Sequence, residues 1–176
     1  MAHNNAWANL RLITACQALS DEAFQAPRTG FFPSLARTLN HILVVDHFYV
    51  DALEGGWLGR AAFDDEMPCA TAADLLAAQR AVDDRLITVC DALTPASLET
   101  DVRINRGARV QVERRDRLLL HLFQHQIHHR GQAHAMLSAT DVKPPQLDEF
   151  FSAGEAPLRA DEFARLGWTE ATIWSP

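Results

Sequence analysis

Four long blocks of this sequence carry apolar residues at intervals of three and four, a spacing that buries one helix face and commits the chain to packed helices. The first block covers about residues 4–19, with Trp7, Leu10, Ile13 and Thr14 recurring at helical intervals. Pro27, Gly30 and Pro33 break the pattern across residues 21–33. Ser34 then caps a second helix that reaches about Leu53 and ends at Gly55-Gly56. Thr71 caps the third, and Asp74 makes its first turn acidic. Leu75, Gln79, Val82, Leu86, Cys90 and Leu93 line up along it until Thr94-Pro95 stops it. The fourth covers about residues 113–140 and is closed by Pro144-Pro145.

Between Leu98 and Val112 the period changes. Val102, Ile104, Val110 and Val112 alternate with polar residues around Asn105-Arg106-Gly107, which predicts a short β-hairpin or extended excursion before the last long helix. The tail is expected to be irregular, with one short helix near residues 161–166. Four helices, moderate links and one long crossover predict an all-α four-helix bundle, read as a single domain over residues 1–176.

A formal net charge of -7 disfavours polyanionic partners, so neither a nucleic acid nor an anionic membrane is expected. No apolar stretch nears the roughly 20 residues that cross a bilayer. MAHNNAWANL lacks the basic start and apolar run of a signal peptide. Cys16, Cys69 and Cys90 have no short spacing and sit in apolar or helical contexts, so they read as buried free thiols in a reducing cytoplasm.

Of the eight histidines, the segment HLFQHQIHHRGQAH at 121–134 is the informative source. Each helical residue advances about 100°, which leaves His125 and His129 about 40° apart on one face. Their Cβ atoms are then about 6 Å apart, close enough for both imidazoles to converge on one ion. Leu118, Leu122 and Met136 share that face, so the two rings point toward the core. A third ligand has to come from another helix. His41 is stacked with Thr38, Val45, Phe48 and Ala52, the stripe expected to face inward, whereas His47 falls about 120° around the helix. His41 is therefore the third candidate. Asp46 is off that face and reads as an exposed cap or salt-bridge partner. His121 and His128 flank the face, Gln132 faces the site with an amide that could orient a ligand or a bound water, and His134 reads as a solvated surface residue. Gln126 stands where a His-Glu-x-x-His peptidase needs its glutamate base, which disfavours peptidase chemistry.

NAWANLRL (5–12), SLARTLNHILVVDHFYVDAL (34–53) and HLFQHQIHHRGQAHAML (121–137) together resemble the DinB family of metal-dependent proteins, from Asn5 to about Phe151. The resemblance implies a DinB/YfiT-like bundle of up-down-down-up type, usually dimeric, whose metal triad takes one histidine from the second long helix and two from the fourth. The matching positions are His41 in LNHILVVD, then His125 and His129 in HQIHHRGQ. Two departures stand out. His47 and Tyr49 replace a charged residue and a tryptophan common among relatives, and the LDEFF segment after Pro145 follows the pattern only in part. His47 thereby adds an imidazole that could bind metal or move a proton near the site.

Three neutral imidazoles leave a divalent ion with an open position, as in catalytic sites. All-nitrogen ligation suits zinc or nickel, with copper, iron or manganese as further options. The resemblance implies a metal-dependent enzyme, either a hydrolase or a transferase in which the ion activates a low-molecular-weight thiol toward a small electrophile. His121, His128 and Gln132 are candidates to assist around the ligands. Arg130 is a candidate to bind an anionic substrate or a carboxylate on the second helix, with a surface salt bridge as its alternative. The apolar outer residues of the first and fourth helices fit a homodimer. Two other readings remain open from the sequence: a non-catalytic metal-binding or stress-associated bundle, and a buried histidine network with no metal.

Overall fold

The computed structural model describes residues 1–174. The four long helices are α1 (Ala2–Cys16), α3 (Leu35–Leu53), α4 (Ala72–Asp91) and α6 (Arg115–Leu137). Helix α1 packs on α4 and α6, and α3 packs on the same two, so every long helix has two long neighbours. Leu12, Leu35, Leu75, Leu122 and Leu137 have no exposed surface between them. Burial of this kind, more than intrinsic propensity, holds such helices together in water.

The caps read from the sequence are formed. Ser34 Oγ accepts from the Arg37 amide at 3.1 Å, and Thr71 Oγ1 accepts from the Asp74 amide at 3.1 Å. After α3 the chain leaves through Gly55 at φ +86°, a left-handed conformation that favours glycine. The first helix starts and stops a little earlier than its apolar pattern predicts. The stretch read as broken holds one short helix, α2 (Asp21–Gln25), which buries Phe24 and is capped by Ser20.

The change of period before the last helix is a true hairpin. After the short α5 (Pro95–Leu98), strand β1 (Asp101–Asn105) pairs antiparallel with β2 (Val110–Arg114), Asn105 opposite Val110. Only β1 faces inward: Val102 and Ile104 are buried, whereas Val110 and Val112 are exposed. The tail holds more helix than expected. A 3₁₀ segment (Ala153–Arg159) leads into α7 (Ala160–Leu166), and α8 (Glu170–Trp174) follows. Phe150 and Phe163 fold back over Trp7 of α1, with Trp7 and Phe150 rings 5.4 Å apart, and Glu162 pairs with Arg11 Nε at 2.8 Å.

Cys16 and Cys69 are buried and Cys90 is partly buried, with no disulfide among the described residues. Burial pushes the Cys16 thiol up to about 12 and the Cys90 thiol up to about 11, which keeps both unreactive. No helix of the described residues is long and apolar enough to cross a membrane.

The packing makes a direct prediction for stability. Leu122→Ala, at a fully enclosed position of α6, should cost about 2–5 kcal/mol in urea denaturation, whereas Val112→Thr on the outer strand should stay within about 0.5 kcal/mol. Equal effects would contradict this placement of the core.

Candidate metal centre

Helices α3 and α6 bring three imidazoles to one point. The ring of His41 lies 5.0 Å from that of His125 and 4.7 Å from that of His129, and the latter two are 4.4 Å apart. One ligand atom from each of the three falls within 4.8 Å of the others. Nε2 of His41 and Nε2 of His125 are 3.0 Å apart. Gln132, one turn beyond His128, accepts a hydrogen bond from His129 Nδ1 at 2.8 Å and so leaves the other nitrogen of that ring free to face the cluster. The second side of the Gln132 amide meets His128 Nε2 at 3.1 Å. Phe32 covers the opening, its ring 4.4 Å from His41 and 5.6 Å from His129.

The electrostatics keep these rings neutral. Burial, with the neighbouring imidazoles adding to it, lowers His41 to about 4 and His125 to about 3. Burial also lowers His129, while its bond to Gln132 opposes the shift. Three neutral rings aimed at one another bring lone pairs within reach of one cation, and the 3.0 Å approach of His41 and His125 is also a hydrogen-bond distance. Nδ1 of His125 is enclosed without a partner among the described residues.

Other sequence candidates fall outside that cluster. His121 is exposed and its ring nitrogen lies 3.3 Å from the Tyr49 hydroxyl, which also receives a hydrogen bond from Arg106 at 3.1 Å. His128 is exposed and bound to Gln132. His47 is half-buried, lowered by burial and by Arg85, and is not among the converging groups. Beside the cluster, a cavity of about 230 Å³ lined by Phe32, Arg37, Val44, Phe63 and Glu66 reaches His41. A second, of about 270 Å³, lies between Tyr49, Arg106, Arg117 and His121.

Three expectations need correction. Asp46 is not an exposed cap: it is 1% exposed and accepts from Gln79 at 2.7 Å and from the Gln126 amide. Arg130 makes no surface salt bridge. It is 5% exposed, and its Nη1 donates to Asn5 Oδ1 at 2.7 Å and Asn9 Oδ1 at 3.0 Å. His134 is only partly exposed and lies 3.0 Å from the Pro145 carbonyl. For Asp46 and Arg130 the reason is that α3 and α6 each touch two long helices, so the flank of the first buried stripe is buried as well, whereas His134 is covered by the segment at Pro145. Asp83 completes this interior group, accepting from Asn5 at 3.1 Å, Asn9 at 3.1 Å and Gln79 at 3.2 Å. Burial pushes Asp46 up to about 8 and Asp83 up to about 7, and it draws Arg130 down to about 10. A signal for this group was present in the sequence: Asn5 and Asn9, Gln79 and Asp83, and Gln126 and Arg130 are polar pairs four apart.

The sequence model of the DinB family matches residues 1–161. A solved structure of a DinB-like protein from Bacillus cereus ATCC 10987 shares the fold with a TM-score of 0.61 at 18% identity. The match covers 80% of this chain and 90% of that one. No curated protein matches the chain.

Two pH effects of opposite sign follow. His41 and His125 have folded pKa values below the ordinary 6.5, so they give the metal-free fold stability that is present above pH 6.5 and lost as pH falls through about 4 and about 3. Proton NMR should find both rings titrating far below an ordinary histidine; titration near 6.5 would refute it. Asp46 is raised from 3.8, so its contribution is present below that pH and lost as pH rises through about 8. Asp46→Asn keeps an acceptor for both glutamine amides and should flatten this loss in denaturation curves across the interval.

Proposed function

The chain belongs to the DinB family, and from that premise we propose that it is a single-domain, metal-dependent four-helix-bundle enzyme in which His41, His125 and His129 hold one divalent ion. Zinc or nickel suits the all-nitrogen donor set. The observation that carries this reading is the convergence of three neutral imidazoles from two helices, their ligand atoms within 4.8 Å of one another. The closed ring of contacts among α1, α4, α3 and α6 supports the bundle.

An ion on three imidazoles supplies a Lewis acid with an open coordination position, the equipment for a thiol-dependent transferase or a hydrolase. The protein's own groups divide the remaining work. Gln132 fixes the tautomer of His129. Phe32 and Phe63 give the cavity beside His41 apolar walls. Tyr49, held between Arg106 and His121, offers a hydroxyl that can relay a proton. Arg106 and Arg117, against Glu113, leave the second cavity with a net positive wall for an acidic group on a small substrate or low-molecular-weight thiol, whereas Arg37 in the first is balanced by Glu66. The cavity that reaches His41 favours catalysis over a non-catalytic or stress-associated role for a sealed ion. The cysteines, unpaired among the described residues, support a reducing cytoplasm, and exposed Leu120 on α6 supports a homodimer.

Elemental analysis of protein purified without a histidine tag should find about one equivalent of zinc or nickel. His41→Ala should abolish that binding and His134→Ala should retain it. Thiol consumption with small electrophiles should disappear with chelator and return with metal. Stoichiometric metal in His41→Ala would sink the assigned triad, and chelator-insensitive activity would sink the metal-dependent reaction.

A further inference from the structure

A groove of about 440 Å³ opens between the start of α1, the outer side of α6 and the segment after Pro145, and none of His41, His125 and His129 lines it. We propose that this groove binds a small amphiphilic carboxylate, with the carboxylate on the free edge of Arg130 and the apolar part against Met1, Ile127, Leu147 and Phe151. The proposal is independent of the metal reading.

The anion end is built from a buried guanidinium. Arg130 is 5% exposed and lines the groove. Its Nη1 is committed to Asn5 and Asn9, whereas Nε and Nη2 make no hydrogen bond among the described residues. Neither of those nitrogens is among the enclosed atoms that lack a partner, and the groove is the concavity that Arg130 lines. An Nε/Nη2 edge presents two parallel N–H donors, the geometry that takes a carboxylate bidentately. The charge balance agrees. Burial pushes Asp46 and Asp83 toward their neutral forms, which leaves the guanidinium short of internal counter-charge.

A second element points the same way. Helix α1 begins at this groove with no side-chain cap from Met1 and no acidic residue in its first turn. Its unpaired amides and positive dipole end therefore face an anion's position with no carboxylate of its own first turn competing for them. Asp148 stands exposed at the rim, which disfavours polyanions such as phosphate esters and leaves a singly charged carboxylate as the fitting head. The walls account for the tail. Met1, Ile127 and Phe151 are 53%, 47% and 55% exposed around this one concavity, large apolar surface that a ligand chain would cover.

The test uses octanoate, with 1-octanol as its uncharged analogue, titrated into the full chain and read by calorimetry and amide NMR. Octanoate should bind one to one and shift the amides of Asn4, Ile127 and Gly131. 1-Octanol should bind weaker by about tenfold or more, the worth of a charge-assisted pair. Changing Arg130 also removes its bonds to Asn5 and Asn9, so the deciding variant is Gly131→Leu. A Cβ added there meets nothing within 4 Å, and the side chain would fill the groove from an exposed helical position. Its thermal melt should be unchanged or raised while octanoate affinity falls at least about tenfold. Octanoate that fails to bind, 1-octanol that binds as tightly, or full affinity in Gly131→Leu would each overturn the proposal. So would a dimer that Gly131→Leu breaks and octanoate leaves intact, since that assigns the groove to a second copy.

Discussion

A carboxyl enclosed between helices has to find hydrogen-bond donors inside the protein, and Asp46 of α3 does so by taking one amide from Gln79 on α4 and another from Gln126 on α6. Leaving such a group without partners costs more than most single contacts contribute. The Gln126 bond therefore fixes α6 against α3, and the Gln79 bond fixes α4 against the same point. Gln126 is the neighbour of His125, and Asp46 stands five residues beyond His41 on its own helix. A slip of α6 by one residue would part Gln126 from Asp46 and would also swing His125 and His129 away from His41. The interior hydrogen bonds and the three-histidine cluster are thus two readings of one helix register. Such polar groups specify an arrangement more than they add net stability.

The same geometry explains which parts of the site were legible in the sequence. His125 and His129 could be placed because they share a helix stripe with Leu118, Leu122 and Met136, all of them buried or near it. His41 could be placed because Thr38, Val45, Phe48 and Ala52 mark its face. That logic assumes one buried stripe per helix, and it fails where a helix touches two long neighbours. Asp46 and Arg130 sit beside the first stripe and look solvent-facing on a helical wheel, yet α4 covers the former and α1 the latter. Polar pairs four residues apart on three helices were the visible trace of this second buried face. No local rule distinguishes such pairs from those that decorate an exposed surface. The hairpin was easier to find, since alternation and Asn105-Arg106-Gly107 are local signals. The tail was harder, because α7 and α8 are short and owe their order to aromatic packing against Trp7, a contact between residues more than 140 positions apart.

Helix α6 consequently works on both sides. Toward α3 it presents His125 and His129, toward the interior Gln126 and Arg130, and toward solvent Ile127 and Gly131. Adjacent residues, His129 and Arg130, serve different environments because each step along a helix rotates the side chain by about 100°. The protein can therefore keep three low-basicity imidazoles at one face while a few ångströms of backbone away a guanidinium stays charged.

This division of α6 also constrains how a proton can be handled at the centre. Position 126 directly follows a ligand candidate, the place where a glutamate would act as base in a His-Glu-x-x-His site. Here it is a glutamine whose amide is spent on Asp46, and an amide takes no proton at neutral pH. The lowered imidazoles of His41 and His125 are equally poor acceptors near neutrality. What remains within reach of the cavities is the carboxylate of Glu66 beside His41 and, in the second cavity, Glu113 and the Tyr49 hydroxyl with His121 beside it and Arg106 holding its oxygen. A proton passed to the protein at this centre would go to one of these groups and not to a glutamate at position 126, and a substrate that carries its own acidic proton, as a thiol does, makes the smaller demand on them.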